Sequence, residues 1–206
     1  MLQSTDEAER AQTELEGTRV HTPRFHNQEG MIDPEVLAGK SFVLVGAGAI
    51  GSFFAMTLAK MGARQIEAYD PDTVENHNIA TQAYPESSVG RPKVDVLAEV
   101  VQSFAGVHIM ARHRRWAGEC ADYLIVCPDN MATRAEAFAA AKDKGCMYMD
   151  ARMGAETMRV YLIDTRMQQQ VAFYERTLYT YEQAEPERCA YKSIIYTVNA
   201  VTGIML

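Results

Sequence analysis

A short turn punctuated by glycines constrains this chain more than any other stretch. The apolar run Ser41–Val45 leads directly into Gly46, Ala47, Gly48, Ala49, Ile50 and Gly51, and a helix-patterned segment continues to Met61. Glycines in this spacing have separate physical tasks. Gly46 permits the tight turn from strand to helix, Gly48 lets a ligand approach the backbone, and Gly51 permits close packing of the helix. The helix that opens here offers free N–H groups and the positive end of its dipole, which suits a phosphate. Asp70 follows Gly51 by nineteen residues and closes the next apolar run, Gln65–Tyr69. A carboxylate at that point accepts hydrogen bonds from ribose hydroxyls. These two features alone fit a nicotinamide cofactor as well as ATP.

The alternation of strand and helix continues beyond Asp70. Residues 92–104 carry Val94, Leu97, Ala98, Val101 and Phe104 at helical spacing, with Pro92 suited to a first turn. Strands are expected at 107–111, 123–127 and 146–149, with a helix over 132–144 stopped by Gly145. Residues 159–164 and 171–174 read as consecutive strands of an antiparallel hairpin, and 193–206 as a helix. The expected fold is α/β: a Rossmann-like, doubly wound, mostly parallel sheet with an antiparallel C-terminal extension. Residues 1–30 read as an N-terminal arm, where 6–15 has the composition of a short helix without a broad apolar face. Residues 31–206 read as one nucleotide-binding domain. The final apolar segment has no stop signal, so a further C-terminal piece is expected.

The totals exclude several function classes. A net charge of −7 over 206 residues argues against a broad nucleic-acid footprint. The one basic cluster, at 112–116, reads as a solvated strand end and loop, with docking of an acidic partner as its other reading. No apolar run approaches the roughly 20 residues needed to cross a membrane, and the polar, acidic N-terminus is not a secretory signal. The four cysteines, Cys120, Cys127, Cys146 and Cys189, form no C-x-x-C pair. Neither zinc nor a disulfide framework is therefore expected, and the chain reads as cytoplasmic.

After Asp70 come Pro71, Asp72, Thr73, Val74 and Glu75, then Asn78 and Gln82, then Val89-Gly90-Arg91-Pro92-Lys93, then Cys127-Pro128-Asp129-Asn130 with Arg134. In this order and spacing they resemble the adenylation domain of the ubiquitin-activating superfamily, from about Arg24 to the C-terminus. Within it the chain is most similar to the ThiF/MoeB/HesA group. The resemblance implies an adenylyltransferase. The C-terminal glycine carboxylate of a ubiquitin-like or sulfur-carrier protein attacks the α-phosphate of ATP, giving an acyl-adenylate and pyrophosphate. It also implies nucleotide contacts from Gly46, Gly48, Ala49, Ile50, Gly51, Asp70, Asp72, Asn78, Gln82, Lys93, Asp129, Asn130 and Arg134. Lys93 would hold phosphates and Asp129 would bind Mg2+, which makes both catalytic candidates. Such cations are needed because charge develops on the leaving pyrophosphate. A homodimer is implied too. Taken singly, Lys93 is a solvent lysine at a helix start and Asp129 a helix cap.

Two positions depart from the family pattern. Thr81 stands where an arginine precedes the glutamine, and Asn27 stands where the arm (Arg24-Phe25-His26-Asn27-Gln28) carries its second arginine. Each lost electrostatic donor is worth about 2–4 kcal/mol in a transition state. Arg24, Arg91, Arg134 and Arg152 are the replacements within the chain. A non-catalytic nucleotide-binding scaffold of the same fold is therefore the alternative, with an NAD(P)-dependent oxidoreductase as a further one. Cys189 is the candidate thioester or persulfide acceptor, its thiolate favoured by Arg188 and Lys192. Its other reading is an unreactive cysteine. Cys127 and Cys146 read as core and Cys120 as surface. Arg152 either receives a carboxylate or phosphate, or pairs internally with Asp150 or Glu156.

Overall fold

The computed structural model describes residues 23–28, 30–154, 157–179 and 194–206. The chain divides into two units, Met1–Asp33 and Pro34–Leu206. In the first, Pro23–Gln28 forms a short 3-10 helix that carries Arg24 and an exposed Asn27. The short helix expected at 6–15 lies outside the described residues.

The second unit begins with α1 (Pro34–Ala38) and β1 (Ser41–Val45). The alternation follows: α2 (Ala49–Met61), β2 (Gln65–Tyr69), α3 (Lys93–Ala105), β3 (Met110–Arg112), β4 (Tyr123–Val126), α4 (Met131–Lys144), β5 (Met147–Met153), β6 (Met158–Asp164), α5 (Gln168–Glu175) and α6 (Ile195–Met205). The six strands form one sheet in the order β3-β2-β1-β4-β5-β6. All pairs are parallel except β5–β6. The chain turns back beside β1, so β1 and β4 flank the topological switch point, where open sheets of this kind bind ligands beyond the carboxyl ends of their strands.

Strand alternation sorts the core into two faces. Phe42 and Leu44 of β1 join Phe54, Leu58, Val94, Leu97, Val101, Val201 and Met205 in one apolar cluster, contributed by α2, α3 and α6. Val43 and Val45 point the other way, into a cluster with Phe138, Ala141, Tyr148 and Tyr174 from α4, β5 and α5. A central parallel strand buried on both sides reads as a continuous apolar run for this reason. Cys146 lies in the second cluster, and Cys120 is half-buried against it rather than on the surface.

The C-terminal third corrects one expectation. The antiparallel pair is β5–β6, running from Met147↔Asp164 to Met153↔Met158. Residues 171–174 belong to helix α5 instead of a hairpin strand. A short apolar run has no period long enough to separate a strand from one buried helical turn. What decides is the turn before it, where the Asp164 carboxylate accepts the Arg166 N–H at 3.0 Å. Pairing with β6 also extends β5 four residues beyond the expected 146–149. β3 is a three-residue edge strand, shorter than the expected 107–111.

Candidate nucleotide site at the switch point

The turn after β1 is made by steric necessity. Gly46 has φ +93° and donates its N–H to the Tyr69 carbonyl at 2.9 Å. A Cβ on Gly46 would stand 2.9 Å from the Cys127 carbonyl oxygen, and one on Gly51 would stand 2.0 Å from the Gly46 oxygen. The first contact locks the turn to the end of β4 and the second seats α2 on the turn. Gly48 differs: it is the N-cap of α2 in extended backbone, and a Cβ there would meet nothing within 4 Å. The helix N-terminus therefore opens onto free space.

Asp70 ties this turn to β2. Its carboxylate accepts the Ala47 N–H at 2.7 Å and the Asp72 N–H at 2.8 Å. Burial pushes its carboxyl above the usual range, against the opposing pull of those two N–H groups and of Lys93. Tyr84 closes the same loop by donating its hydroxyl to the Ala47 carbonyl.

Lys93 is the first residue of α3. Its backbone N–H donates to the Asp72 carbonyl at 2.9 Å and its Nζ to the Asp72 carboxylate at 3.1 Å. The Lys93 side chain is 9% exposed and that of Asp72 is 64% exposed, so the cation is held in the wall by a carboxylate at the surface. The Val74 N–H donates to the Arg91 carbonyl and the Gly90 N–H to the Val74 carbonyl, both at 2.8 Å, which pins the segment beside Asp72. Asn78 is buried, and its Oδ1 accepts the Glu75 N–H at 2.9 Å. Gln82 Oε1 is the only buried side-chain nitrogen or oxygen without a hydrogen-bond partner among the described residues.

The loop after β4 carries an exposed Asp129. Asn130, not Asp129, caps α4: its Oδ1 accepts the Thr133 N–H at 2.8 Å, while its Nδ2 donates to Asp129 Oδ1 at 3.1 Å. Arg134 Nε binds the Asp150 carboxylate at 2.8 Å, and its terminal nitrogens donate to the Asn130 and Ala151 carbonyls at 3.2 Å. Arg152 takes the internal pairing of its two readings, with Nε on Asp150 at 2.6 Å. Burial works against its charge, but Asp150 and Tyr174 outweigh that and raise its pKa. Arg91 pairs with the exposed Glu99. Burial pushes the Cys127 thiol up to about 12, with Asp150 adding to the effect. Cys189 and Glu156 lie outside the described residues.

The structure thus gathers the turn from Gly46 to Gly51, Asp70, Asp72 and Lys93 into one bonded unit. The chain leaving β4 passes close to that unit at Cys127, whose N–H donates to the Val45 carbonyl at 2.9 Å. Sequence reasoning named Asp150 as an internal partner of Arg152 but missed Tyr84 and the bonds of Asp150 to Arg134 and Tyr174. Asp150 and Arg152, two apart on a strand and hence on one face, were the legible part of that cluster. Among the described residues no three His, Cys, Asp or Glu side chains form a metal cage. Magnesium needs none, since one or two carboxylates and the substrate phosphates suffice. An exposed carboxylate on this loop fits that donor set.

Known proteins resemble this chain in sequence and in fold. The chain is 30% identical over 122 residues to the sulfur carrier protein ThiS adenylyltransferase of Escherichia coli, covering 55% of this chain and 46% of that one. It is 33% identical over 112 residues to the adenylyltransferase and sulfurtransferase uba4 of Neosartorya fischeri, covering 50% and 23%. It is 27% identical over 125 residues to tRNA threonylcarbamoyladenosine dehydratase 1 of Saccharomyces cerevisiae, covering 54% and 28%. The matched regions thus span less than half the length of these relatives. Among solved structures, Escherichia coli MccB with AMPCPP and MccA superposes with a TM-score of 0.72 at 15% identity, over 90% of this chain and 62% of that one. At that identity the likeness shows the fold alone. The ThiF family model matches residues 26–206, so the chain belongs to the ThiF family.

Proposed function

We propose that this chain binds ATP and adenylates the C-terminal glycine of a ubiquitin-like or sulfur-carrier protein. The observation that supports the reading is the close approach of the Gly46 turn to the Cys127 carbonyl, where a Cβ would stand 2.9 Å away, so that the turn into α2 and the chain after β4 leave neighbouring strands side by side. In this reading Asp70 holds the ribose, and the N–H groups around Gly48 with Lys93 hold the phosphates. Asp129 holds magnesium, which supplies positive charge where the leaving pyrophosphate gains negative charge. Lys93 sits in the wall beside Asp72, so nucleotide phosphate replaces one anion with another near it. A donor from the nucleotide or from water satisfies Gln82 Oε1, whose isolation otherwise costs about 1–3 kcal/mol. The name of the Escherichia coli relative supports a sulfur-carrier substrate. The name of the yeast relative supplies a competing substrate class, a tRNA nucleoside, against which the net charge of −7 weighs. A thioester or persulfide step at Cys189, a cytoplasmic setting and a homodimer extend the same reading.

A specific observation favours a second reading, a nucleotide-binding scaffold. Thr81 and Asn27 replace two arginines of the family pattern, and Arg91, Arg134 and Arg152 are all paired with carboxylates within the chain.

Titration calorimetry with ATP and magnesium, and separately with NAD, tests the site on wild type and Asp129→Ala. Magnesium-dependent ATP binding, lost in the variant, is the expected result; binding of NAD in place of ATP rejects it. ATP–pyrophosphate exchange that requires a partner ending in glycine then separates the enzyme from the scaffold.

A further inference from the structure

A second polar cluster lies behind the site, at the carboxyl end of β5. Asp150 is fully buried, at 0% exposure. One of its oxygens accepts Arg134 Nε at 2.8 Å; the other accepts Arg152 Nε at 2.6 Å and the Tyr174 hydroxyl at 2.9 Å. Tyr148 completes the cluster, its hydroxyl within 2.9 Å of that of Tyr174 and 3.2 Å from the Arg134 carbonyl. Two guanidinium groups sharing one buried carboxylate are a costly way to fill a core, because apolar residues of similar volume are often as stable or more so. What an apolar filling cannot do is hold a backbone carbonyl. Here the orientation that Asp150 imposes on Arg134 delivers one guanidinium nitrogen to the Asn130 carbonyl at 3.2 Å and another to the Ala151 carbonyl at 3.2 Å. Asn130 is thereby fixed twice, by its carbonyl on Arg134 and by its side chain on the Thr133 N–H. Its remaining amide group donates to Asp129.

We propose that Asp150 is a positioning residue for Asp129: it locks the Arg134 fork, and the fork holds the loop that presents the Asp129 carboxylate. The inference rests on the reading of Asp129 as the magnesium carboxylate. Groups one step removed from a metal ligand commonly change metal affinity by about 10–100-fold when lost. Arg134 on this view steers the loop and does not itself reach the phosphates.

The test compares wild type, Asp129→Ala, Asp150→Asn and Arg134→Lys. Asp150→Asn removes the charge that orients the fork. Arg134→Lys keeps a cation beside Asp150 but has no planar fork to reach both carbonyls, and it carries the test if Asp150→Asn does not fold. Two quantities are read. Amide hydrogen exchange in nucleotide-free protein should quicken at 129–133 while β1 keeps its protection. Calorimetry should show that half-maximal ATP binding needs about 10–100-fold more magnesium. Uniform loss of protection with an unchanged magnesium requirement overturns the proposal and leaves Asp150 a structural residue. If magnesium supports ATP binding in wild type and not in Asp129→Ala, yet both other variants behave as wild type, only the positioning role falls. If wild type shows no magnesium-dependent ATP binding, the reading of Asp129 falls first and the proposal with it.

Discussion

The turn after β1 and the end of β5 both bear on the candidate site, and they are built on opposite principles. The turn is a backbone object: it exists because side chains are missing at Gly46 and Gly51, and the bonds that tie it to Tyr69, Asp70 and Tyr84 all engage its own main-chain groups. The end of β5 is a side-chain object, assembled from Asp150, Arg134, Arg152, Tyr148 and Tyr174, which come from three elements. The glycines that make the first possible stand a few positions apart, while the groups that hold it in place, Asp70, Tyr84 and Cys127, come from farther along the chain. The second is specified by residues up to 40 positions apart that meet only when the sheet and both helices are in place. A substitution in the turn therefore fails by overlap, and one at the end of β5 fails by leaving a charge unpaired.

The sharpest way to break this contrast is at Asp150. Asp150→Ala leaves the buried Arg134 and the partly buried Arg152 without their carboxylate and should cost about 3–5 kcal/mol in urea unfolding. Replacing the whole triad, with Arg134→Met and Arg152→Met beside Asp150→Leu, should recover most of that loss if charge imbalance rather than packing is the cause. Next is Gly51→Ala. With its Cβ 2.0 Å from the Gly46 oxygen, the helix must move off the turn, at a cost of about 3 kcal/mol. No compensating side-chain change should rescue it, because the clash is with backbone. Asn130→Ala should cost about 1 kcal/mol through the lost cap of α4, measured the same way.

The smallest effect is the pH dependence of Asp70. Burial raises its folded-state pKa above the ordinary value of about 3.9. The folded protein thus binds this proton more tightly than the unfolded chain. The contribution favours folding below the ordinary value and fades as pH rises through the raised one. Wild type should therefore gain stability relative to Asp70→Asn as pH falls through that window. A difference that moves the other way, or stays flat, would show that the two N–H bonds to Asp70 outweigh its burial.

Legibility followed the same divide. The runs 41–45 and 65–69 and the stops at Gly62 and Gly145 were readable because each depends on local spacing or on one residue's conformational freedom. The helix over 168–175 was not, because four apolar residues satisfy either period and only the turn at Asp164 and the docking of Tyr174 on Asp150 separate them. The same limit applied within the site. Motif order placed Arg134 among the nucleotide contacts but carried no sign of its bonds to Asp150, Asn130 and Ala151. Asp129 read equally well as the cap of α4, a task that falls to Asn130.

By itself the sequence determined the alternating parallel architecture, the glycine turn after β1 and the family, since hydrophobic period, glycine sterics and motif spacing are properties of neighbouring residues. The tertiary structure decided which way the C-terminal third turns, which cations stand paired and what holds the Asp129 loop. Those outcomes depend on desolvated charges finding partners across the sheet, and a buried guanidinium takes the nearest carboxylate the fold supplies, whatever its distance along the chain.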